Sequence, residues 1–352
     1  MPGPKAKKRK VDNGHGIADD AAVDTSRPSA IFKPSKGRTH TCSLALPGSI
    51  IANATTHDQK TSLAGQIARA CTVFCVDEVV VFDDGQAEIR DPEQGGYTAY
   101  ADPNFFLYHI LTYLETPPNL RKSLFPMHPD LRTAGALPSL DMPHHLRSDE
   151  WCQFREGITI GPGRNGREAG TLVDCGLVSK VLIPQEIEPK TRVTVQLPES
   201  AANQHAEIVT GEAVSPDTPR EQGGYYWGYA VRQASSLGSV FTECPFDGGY
   251  DVSIGTSERG SPLQAITEQG SAAYVEPTWN HMIMILGGVS GLEAALRADK
   301  ELQAAGVSQA AEVFDCWINL VFGQGSRTIR TEEAIWIGLT GLRGLVEARN
   351  ER

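Results

Sequence analysis

The stretch Asn319-Leu-Val-Phe-Gly-Gln-Gly-Ser-Arg-Thr-Ile-Arg-Thr-Glu-Glu-Ala334 sets small, polar and charged residues between two apolar segments. Behind it, Val313 to Leu320 has the pattern of a short buried strand. Ahead of it, Ile335, Leu339, Leu342 and Val346 recur at helical spacing. The polar turn therefore sits at a strand-to-helix corner. Thr331 fits an N-cap, Glu332 and Glu333 fall in the first turn where the helix dipole favours carboxylates, and Gly323 and Gly325 let the backbone approach a ligand closely. Exposed amides at such a corner can hold a small molecule. The same residues also fit a capped helix after an ordinary glycine turn.

Two similar corners precede this one. Val252-Ser-Ile254 runs into Gly255-Thr-Ser-Glu-Arg-Gly260, and Met282 to Leu286 runs into Gly287-Gly-Val-Ser-Gly291. Three strands ending in glycine-containing loops point to a nucleotide-like pocket at the carboxyl edge of a parallel sheet. The first part of the chain fits that sheet. Thr41 to Ile51 reads as a strand entering a turn at Pro47-Gly48, Leu63, Ile67, Ala70 and Phe74 share a helix face, and Val76 to Phe82 is a continuous apolar strand. Asp83 to Tyr100 reads as an acidic loop, and the helix from Phe105 to Leu114 stops at Pro117-Pro118. The fold class is α/β.

Between Gly157 and Gln233 the texture changes. Ile158 to Ile160, Thr171 to Cys175, Val181 to Ile183, Val193 to Leu197, Ile208 to Val214 and Tyr225 to Val231 are short β-rich runs between turn residues, the pattern of a small inserted OB-like barrel. Tyr225, Tyr226, Trp227 and Tyr229 could stack on bases there, or pack inward. Gly161-Pro-Gly-Arg-Asn-Gly166 has the form of a dinucleotide fingerprint, but the next element is a strand and not a helix. That argues against a nicotinamide dehydrogenase. No Walker A sequence or G-x-S-x-G elbow is present.

Composition narrows the class. The 352 residues carry a net charge of −11, yet residues 1–38 hold nine Lys or Arg against four Asp, leaving the remainder at −16. Such an acidic body attracts nucleic acid only through a local basic patch or the tail. Residues 1–38 read as a disordered tail whose cluster Lys5 to Lys10 fits a nuclear localisation signal or a solvated charge run. No apolar run reaches membrane-spanning length, and no apolar secretory core opens the chain, so an intracellular protein without a membrane span is expected. Seven cysteines without a Cys-x-x-Cys pair argue against a zinc ribbon or a disulfide framework. Cys71 and Cys75 read as sharing a helix face in the core. His128, His144 and His145 lie in Pro-punctuated loops without metal-ligand spacing, and no metal site is expected.

Several segments together resemble the SPOUT, or α/β-knot, methyltransferases, and within them the nuclear RNA methyltransferases of the centromere protein 32 type. They are Ser43-Leu-Ala-Leu-Pro-Gly-Ser49, Leu63-Ala-Gly-Gln-Ile-Ala-Arg-Ala-Cys71, Phe74-Cys-Val-Asp-Glu-Val79, Phe154-Arg-Glu-Gly157, Ile254-Gly-Thr-Ser-Glu-Arg-Gly260 and Gly323 to Ala334. The resemblance implies a homodimer with a trefoil-knotted parallel-sheet domain, an RNA substrate and S-adenosyl-L-methionine as methyl donor. It divides the chain into a tail (1–38), the first part of the α/β-knot domain (39–156), an inserted OB-like barrel (157–233) and a knotted cofactor-binding part (234–352). It implies cofactor contacts at Thr256, Glu258, Arg259, Gly260, Gly287, Gly288, Asn319, Leu320, Gly323, Gln324, Gly325, Ser326 and Thr331. Gly65-Gln-Ile-Ala-Arg69 resembles the first motif of related ribose methyltransferases, whose arginine acts near the acceptor, so Arg69 is the catalytic candidate. The chain departs from the family at Asn319-Leu-Val-Phe322, where a more polar or Pro-containing approach is usual. Two functions follow as expectations: an RNA methyltransferase, or a nuclear, spindle- or kinetochore-associated binding protein that keeps the fold with little catalysis.

Overall fold

The computed structural model describes residues 36–87, 89, 96–203 and 206–351, so the basic cluster Lys5 to Lys10 lies outside the described residues. Strand β1 (Thr41–Pro47) is buried along its whole length, as a strand covered on both faces must be. It leads through a 3-10 turn, Gly48–Asn53, into α1 (His57–Val73). That helix starts at a capping box, in which Thr56 Oγ1 accepts from Gln59 N–H and the Gln59 side chain accepts from Thr56 N–H. Then come β2 (Glu78–Phe82), α2 (Pro103–Glu115) and α3 (Pro118–Leu124).

Six short strands follow, β3 (Phe154–Asn165), β4 (Glu168–Asp174), β5 (Lys180–Ile183), β6 (Arg192–Gln196), β7 (Ile208–Thr210) and β8 (Glu212–Val214). The chain then returns through α4 (Thr218–Glu221), β9 (Ala230–Ala234), α5 (Leu237–Thr242), β10 (Val252–Pro262), β11 (His281–Ile285), α6 (Gly291–Ala298), α7 (Lys300–Ala304), β12 (Cys316–Asn319) and α8 (Thr331–Glu351).

The larger sheet is parallel throughout, in the order β12-β10-β11-β1-β2-β9. Alternate residues of its strands serve two cores, because side chains along a strand point to opposite faces. Leu44, Leu46, Val79 and Val81 pack with Ile67 of α1, Ile110 of α2 and Ile335 of α8. Ala45, Val80, Ile283 and Ile285 pack on the other face with Leu237 of α5 and with Leu292 and Leu296 of α6.

The smaller sheet runs β7-β5-β4-β3-β6-β8 and has its own core of Val173, Val181, Ile183 and Val195. The expected strand Ile208 to Val214 is broken at Gly211 into β7 and β8, which pair with β5 and β6 respectively. Because β7 and β8 adjoin in the chain, the two edges of this sheet come together and it curls closed. Gly161 to Gly166 lies in the β3–β4 hairpin, where Asn165 pairs with Glu168. The run Tyr225 to Val231 does not join this sheet; its end enters β9, which pairs with β2 in the parallel sheet. Among the described residues no helix is long and apolar enough to cross a membrane.

Candidate functional site

All strands of a parallel sheet end at one edge, and there the excursion within β10 and the loops after β11 and β12 surround an open cavity of 810 Å³. Strand β10 pairs with β12 as far as Thr256, makes an excursion, and rejoins at Ser261, so that Thr256 and Ser261 both face Ile318. Three side chains hold the loops together. Asn319 Nδ2 donates to the Glu258 carbonyl at 2.7 Å, Thr256 Oγ1 donates to the Ile285 carbonyl at 3.2 Å, and Thr331 Oγ1 donates to the Gly287 carbonyl at 3.1 Å. The volume falls within the range of small-molecule and cofactor sites.

Thr256, Glu258, Arg259, Gly287, Gly288, Asn319, Leu320, Gln324 and Thr331 all line this cavity. Gly260, Gly323, Gly325 and Ser326 stand outside its lining. Gly260 is needed for packing, since a Cβ there would stand 2.5 Å from the Ile318 Cα. Gly323 takes a left-handed turn at φ 74°, and Ser326 shapes the loop by accepting from Gln324 Nε2 at its carbonyl. Thr331 is not the N-cap but the first helical residue: the Arg330 carbonyl accepts from Ala334 N–H at 2.8 Å, so the cap position falls one residue earlier, and the Thr331 hydroxyl donates to Gly287. Of the two acidic residues behind it, Glu332 is buried away from the cavity, while Glu333 accepts from Arg330 N–H at 3.0 Å.

Gly288 is packed closely from behind. A Cβ on it would stand 3.0 Å from Asp84 Oδ2 and 3.1 Å from Ser49 Oγ. Ser49 Oγ donates to the Asp84 carboxylate at 2.8 Å, and burial pushes that carboxyl above its ordinary range.

Several lining residues escape a reading of the three loops, including Asn53 from the turn after β1 and Glu293 and Arg297 from α6. Asn53 carries no local signal, since its place depends on β1 pairing with β11 from the far end of the chain. Arg327 and Arg330 also line the cavity, so with Arg259 and Arg297 four guanidinium groups meet two carboxylates, Glu258 and Glu293. This patch is basic although the chain is acidic.

Arg69 is not brought to the cavity. Helix α1 runs back from the pocket edge, and Arg69 lies twelve residues beyond its start, about 18 Å along the axis. Half-buried there, it donates to the Leu140 carbonyl at 2.7 Å. The aromatic run is also not a stacking platform. Tyr226, Trp227 and Tyr229 are buried, with Trp227 Nε1 donating to Glu156 Oε1 at 2.8 Å and Tyr229 OH to the Leu111 carbonyl at 3.2 Å.

The histidines serve polar junctions. His109 Nδ1 and His128 Nδ1 stand 3.1 and 3.2 Å from Asp130 Oδ2, and His144 and His145 both meet the Glu115 carbonyl through Nε2. Cys75 falls beyond the end of α1 at φ 55°, so it shares no helix face with Cys71. Burial pushes the Cys42 thiol up to about 12 and raises Cys71 and Cys75 as well, which leaves these thiols un-ionised at neutral pH.

Comparison with known proteins gives this geometry a context. A family profile described as "Putative RNA methyltransferase" matches residues 41–342. The chain is 47% identical over 326 residues to a Homo sapiens protein named 28S rRNA (uridine-N(3))-methyltransferase, covering 91% of this chain and 82% of that one. Proteins of the same name from Mus musculus and Drosophila melanogaster are 45% and 39% identical, covering 88% and 96% of this chain and 78% and 67% of their own lengths.

Proposed function

The chain belongs to the RNA methyltransferase family that this profile describes, and we propose that it transfers a methyl group from S-adenosylmethionine to N3 of a uridine in ribosomal RNA. The observation that carries the proposal is the cavity enclosed by three strand-end loops that are tied to one another by Asn319, Thr256 and Thr331. The residues fit the cofactor. Gly288 lines the cavity with bare backbone, packed so closely against Asp84 and Ser49 that a side chain would displace the loop, and the loop backbone offers polar groups at the carboxyl edge of a parallel sheet. When bound, S-adenosylmethionine supplies a methyl group on a sulfonium, open to direct displacement without a metal.

The chain's own task is alignment and proton removal. The N3 of uridine carries a proton that must leave before or as the nitrogen attacks. Glu258 and Glu293, the two carboxylates lining the cavity, are the groups able to accept it.

On the same reading the domain is of the SPOUT type. The segment after β12 returns past β10 and enters α8 beside Gly287, a path compatible with a trefoil knot. The curled smaller sheet is an OB-like insertion, the protein is a nuclear homodimer, and Arg69 works at the cavity of a second copy. Purified protein incubated with methyl-labelled S-adenosylmethionine and total ribosomal RNA, followed by nucleoside mass spectrometry, tests the activity. Label in N3-methyluridine is the expected result. Cofactor binding without transfer to any RNA would replace the enzyme with a nuclear binding protein that keeps the fold.

A further inference from the structure

We infer that Arg327, Arg330 and Phe322 form a surface for single-stranded RNA at the mouth of the cavity, the two guanidinium groups on backbone phosphates and the phenyl ring against an unstacked base. The inference rests on the RNA methyltransferase reading and adds to it the form in which the substrate is bound.

The first observation is that these arginines have no structural task. Among the described residues, neither the Arg327 nor the Arg330 side chain makes a hydrogen bond or an ion pair, and both are exposed. Many guanidinium groups are engaged, such as Arg38 with Asp77, Arg192 with Glu115 and Glu156, and Arg232 with Glu78. Of the exposed ones that are not, Arg132, Arg147, Arg164 and Arg167 lie away from the cavity that Arg327 and Arg330 line. The Arg330 backbone, by contrast, is fixed, since its N–H donates to Glu333 at 3.0 Å. Arg330 is thus held at its backbone and free at its guanidinium group.

The cofactor does not account for them. S-adenosylmethionine has one carboxylate against a sulfonium and an ammonium, so it calls for no excess of cations, yet four arginines surround a cavity that holds two glutamates. In a chain of net charge −11 this local excess suits a polyanion. A planar guanidinium matches phosphate oxygens in pairs.

The second observation is Phe322. It is 78% exposed on the loop that joins β12 to these arginines, where an apolar ring loses free energy to water unless something covers it. Base on aromatic stacking is the usual cover at a site that binds single strands. Chemistry favours a single strand here, because N3 lies on the pairing edge of uridine and is closed off inside a duplex.

The test measures binding of a fluorescein-labelled decauridine by anisotropy across a range of salt concentrations, with S-adenosylmethionine binding followed by calorimetry. Arg327→Ala and Arg330→Ala should each weaken the oligonucleotide about 10-fold and flatten the dependence of log affinity on log salt by about 0.7. Phe322→Ala should weaken it about 10-fold with an unchanged salt slope, and Phe322→Trp should restore it. Cofactor affinity should stay within about twofold in the two Phe322 variants, since Phe322 lies outside the cavity lining. Loss of cofactor affinity with RNA binding intact would assign the arginines to the cofactor carboxylate. A changed oligomeric state with RNA binding intact would assign Phe322 to a contact between copies. Equal binding by wild type and variants overturns this inference alone, whereas a wild type that binds no RNA overturns the enzyme reading beneath it.

Discussion

Thr331 and Gly287 stand 44 residues apart in sequence, and the hydroxyl of one donates to the carbonyl of the other at 3.1 Å. The contact fixes the start of α8 against the loop after β11, and so sets one wall of the cavity. Thr331→Val keeps the shape and removes the donor. It should destabilise the fold by about 0.5–1.5 kcal/mol and weaken S-adenosylmethionine several-fold, with Thr331→Ser close to wild type. Denaturant unfolding and calorimetry check the two effects separately, and if neither moved, the contact would be idle.

Gly288→Val places bulk where Asp84 and Ser49 already stand within 3.1 Å of the position a Cβ would take. The loop must shift toward the cavity, and cofactor affinity should fall by at least about 10-fold, or about 1.4 kcal/mol. Unchanged affinity in a folded protein would move the cofactor elsewhere.

At the junction of the two sheets, the half-buried Arg192 bridges Glu115 at 2.6 Å and Glu156 at 2.6 Å, and both carboxylates are buried. Burial alone would raise the Glu115 carboxyl, but attraction to Arg192 and hydrogen bonds from His144 and Arg192 outweigh it and hold that carboxyl well below the usual range. Arg192→Met leaves two buried carboxylates without their cation and should cost about 3–5 kcal/mol of stability. Adding Glu115→Gln should recover part of that loss. A single variant as stable as wild type would show that water reaches this junction freely.

Two imidazoles make the fold sensitive to acid. Burial and the neighbouring His144 push His145 down to about 3, and burial, aided by Arg38, pushes His40 down to about 4. Below pH 6.5 the unfolded chain takes up protons that these folded sites refuse, so their stability contribution is whole above 6.5 and is lost as pH falls toward 3–4. Each site adds at most about 1.4 kcal/mol per pH unit to the slope. Urea midpoints between pH 7.5 and 4.5 should therefore drop more steeply for wild type than for His40→Gln. Parallel curves would remove His40 from the account.

Arg69→Ala should lower methyl transfer by about 100-fold with cofactor affinity intact, and Arg69→Lys should rescue it only in part. Because Arg69 lies far down α1 from the cavity of its own chain, the loss requires a site shared between copies. Mixing Arg69→Ala protein with Gly288→Val protein should then regain activity, as one copy supplies each half. Full activity of the alanine variant by itself would leave Arg69 with only its Leu140 contact.

The three pocket loops were legible because glycines and polar residues interrupt strand and helix periods at Gly255, Gly287 and Gly323, a signal local to each segment. What depends on partners distant in the chain was not legible. Tyr226, Trp227 and Tyr229 have the composition of a strand in the smaller sheet, but Tyr226 and Tyr229 join the core beneath α1 and α2 while Trp227 meets Glu156 of β3, and only the pairing of β9 with β2 decides that. Thr331 has the chemistry of a cap, yet the helix opens one residue earlier, at the Arg330 carbonyl, and the Thr331 hydroxyl instead reaches a carbonyl 44 residues back at Gly287. The arginines beside the cavity were visible as residues; their lack of partners among the described residues becomes visible only once the loops around the cavity have positions.

The central strand also constrains the order in which this protein can be made. Ser43 on β1 pairs with Glu78 on one side and with Ile283 on the other. Thr41 and His281 are 240 residues apart, an interval that a ribosome covers in roughly 10–50 s at ordinary elongation rates. Throughout that time the nascent chain carries an apolar strand with one edge unpaired, and α8, which shares its core with α1 and α2, emerges later still. Recombinant yield will therefore follow chaperone supply and translation speed more closely than the stability of the finished fold.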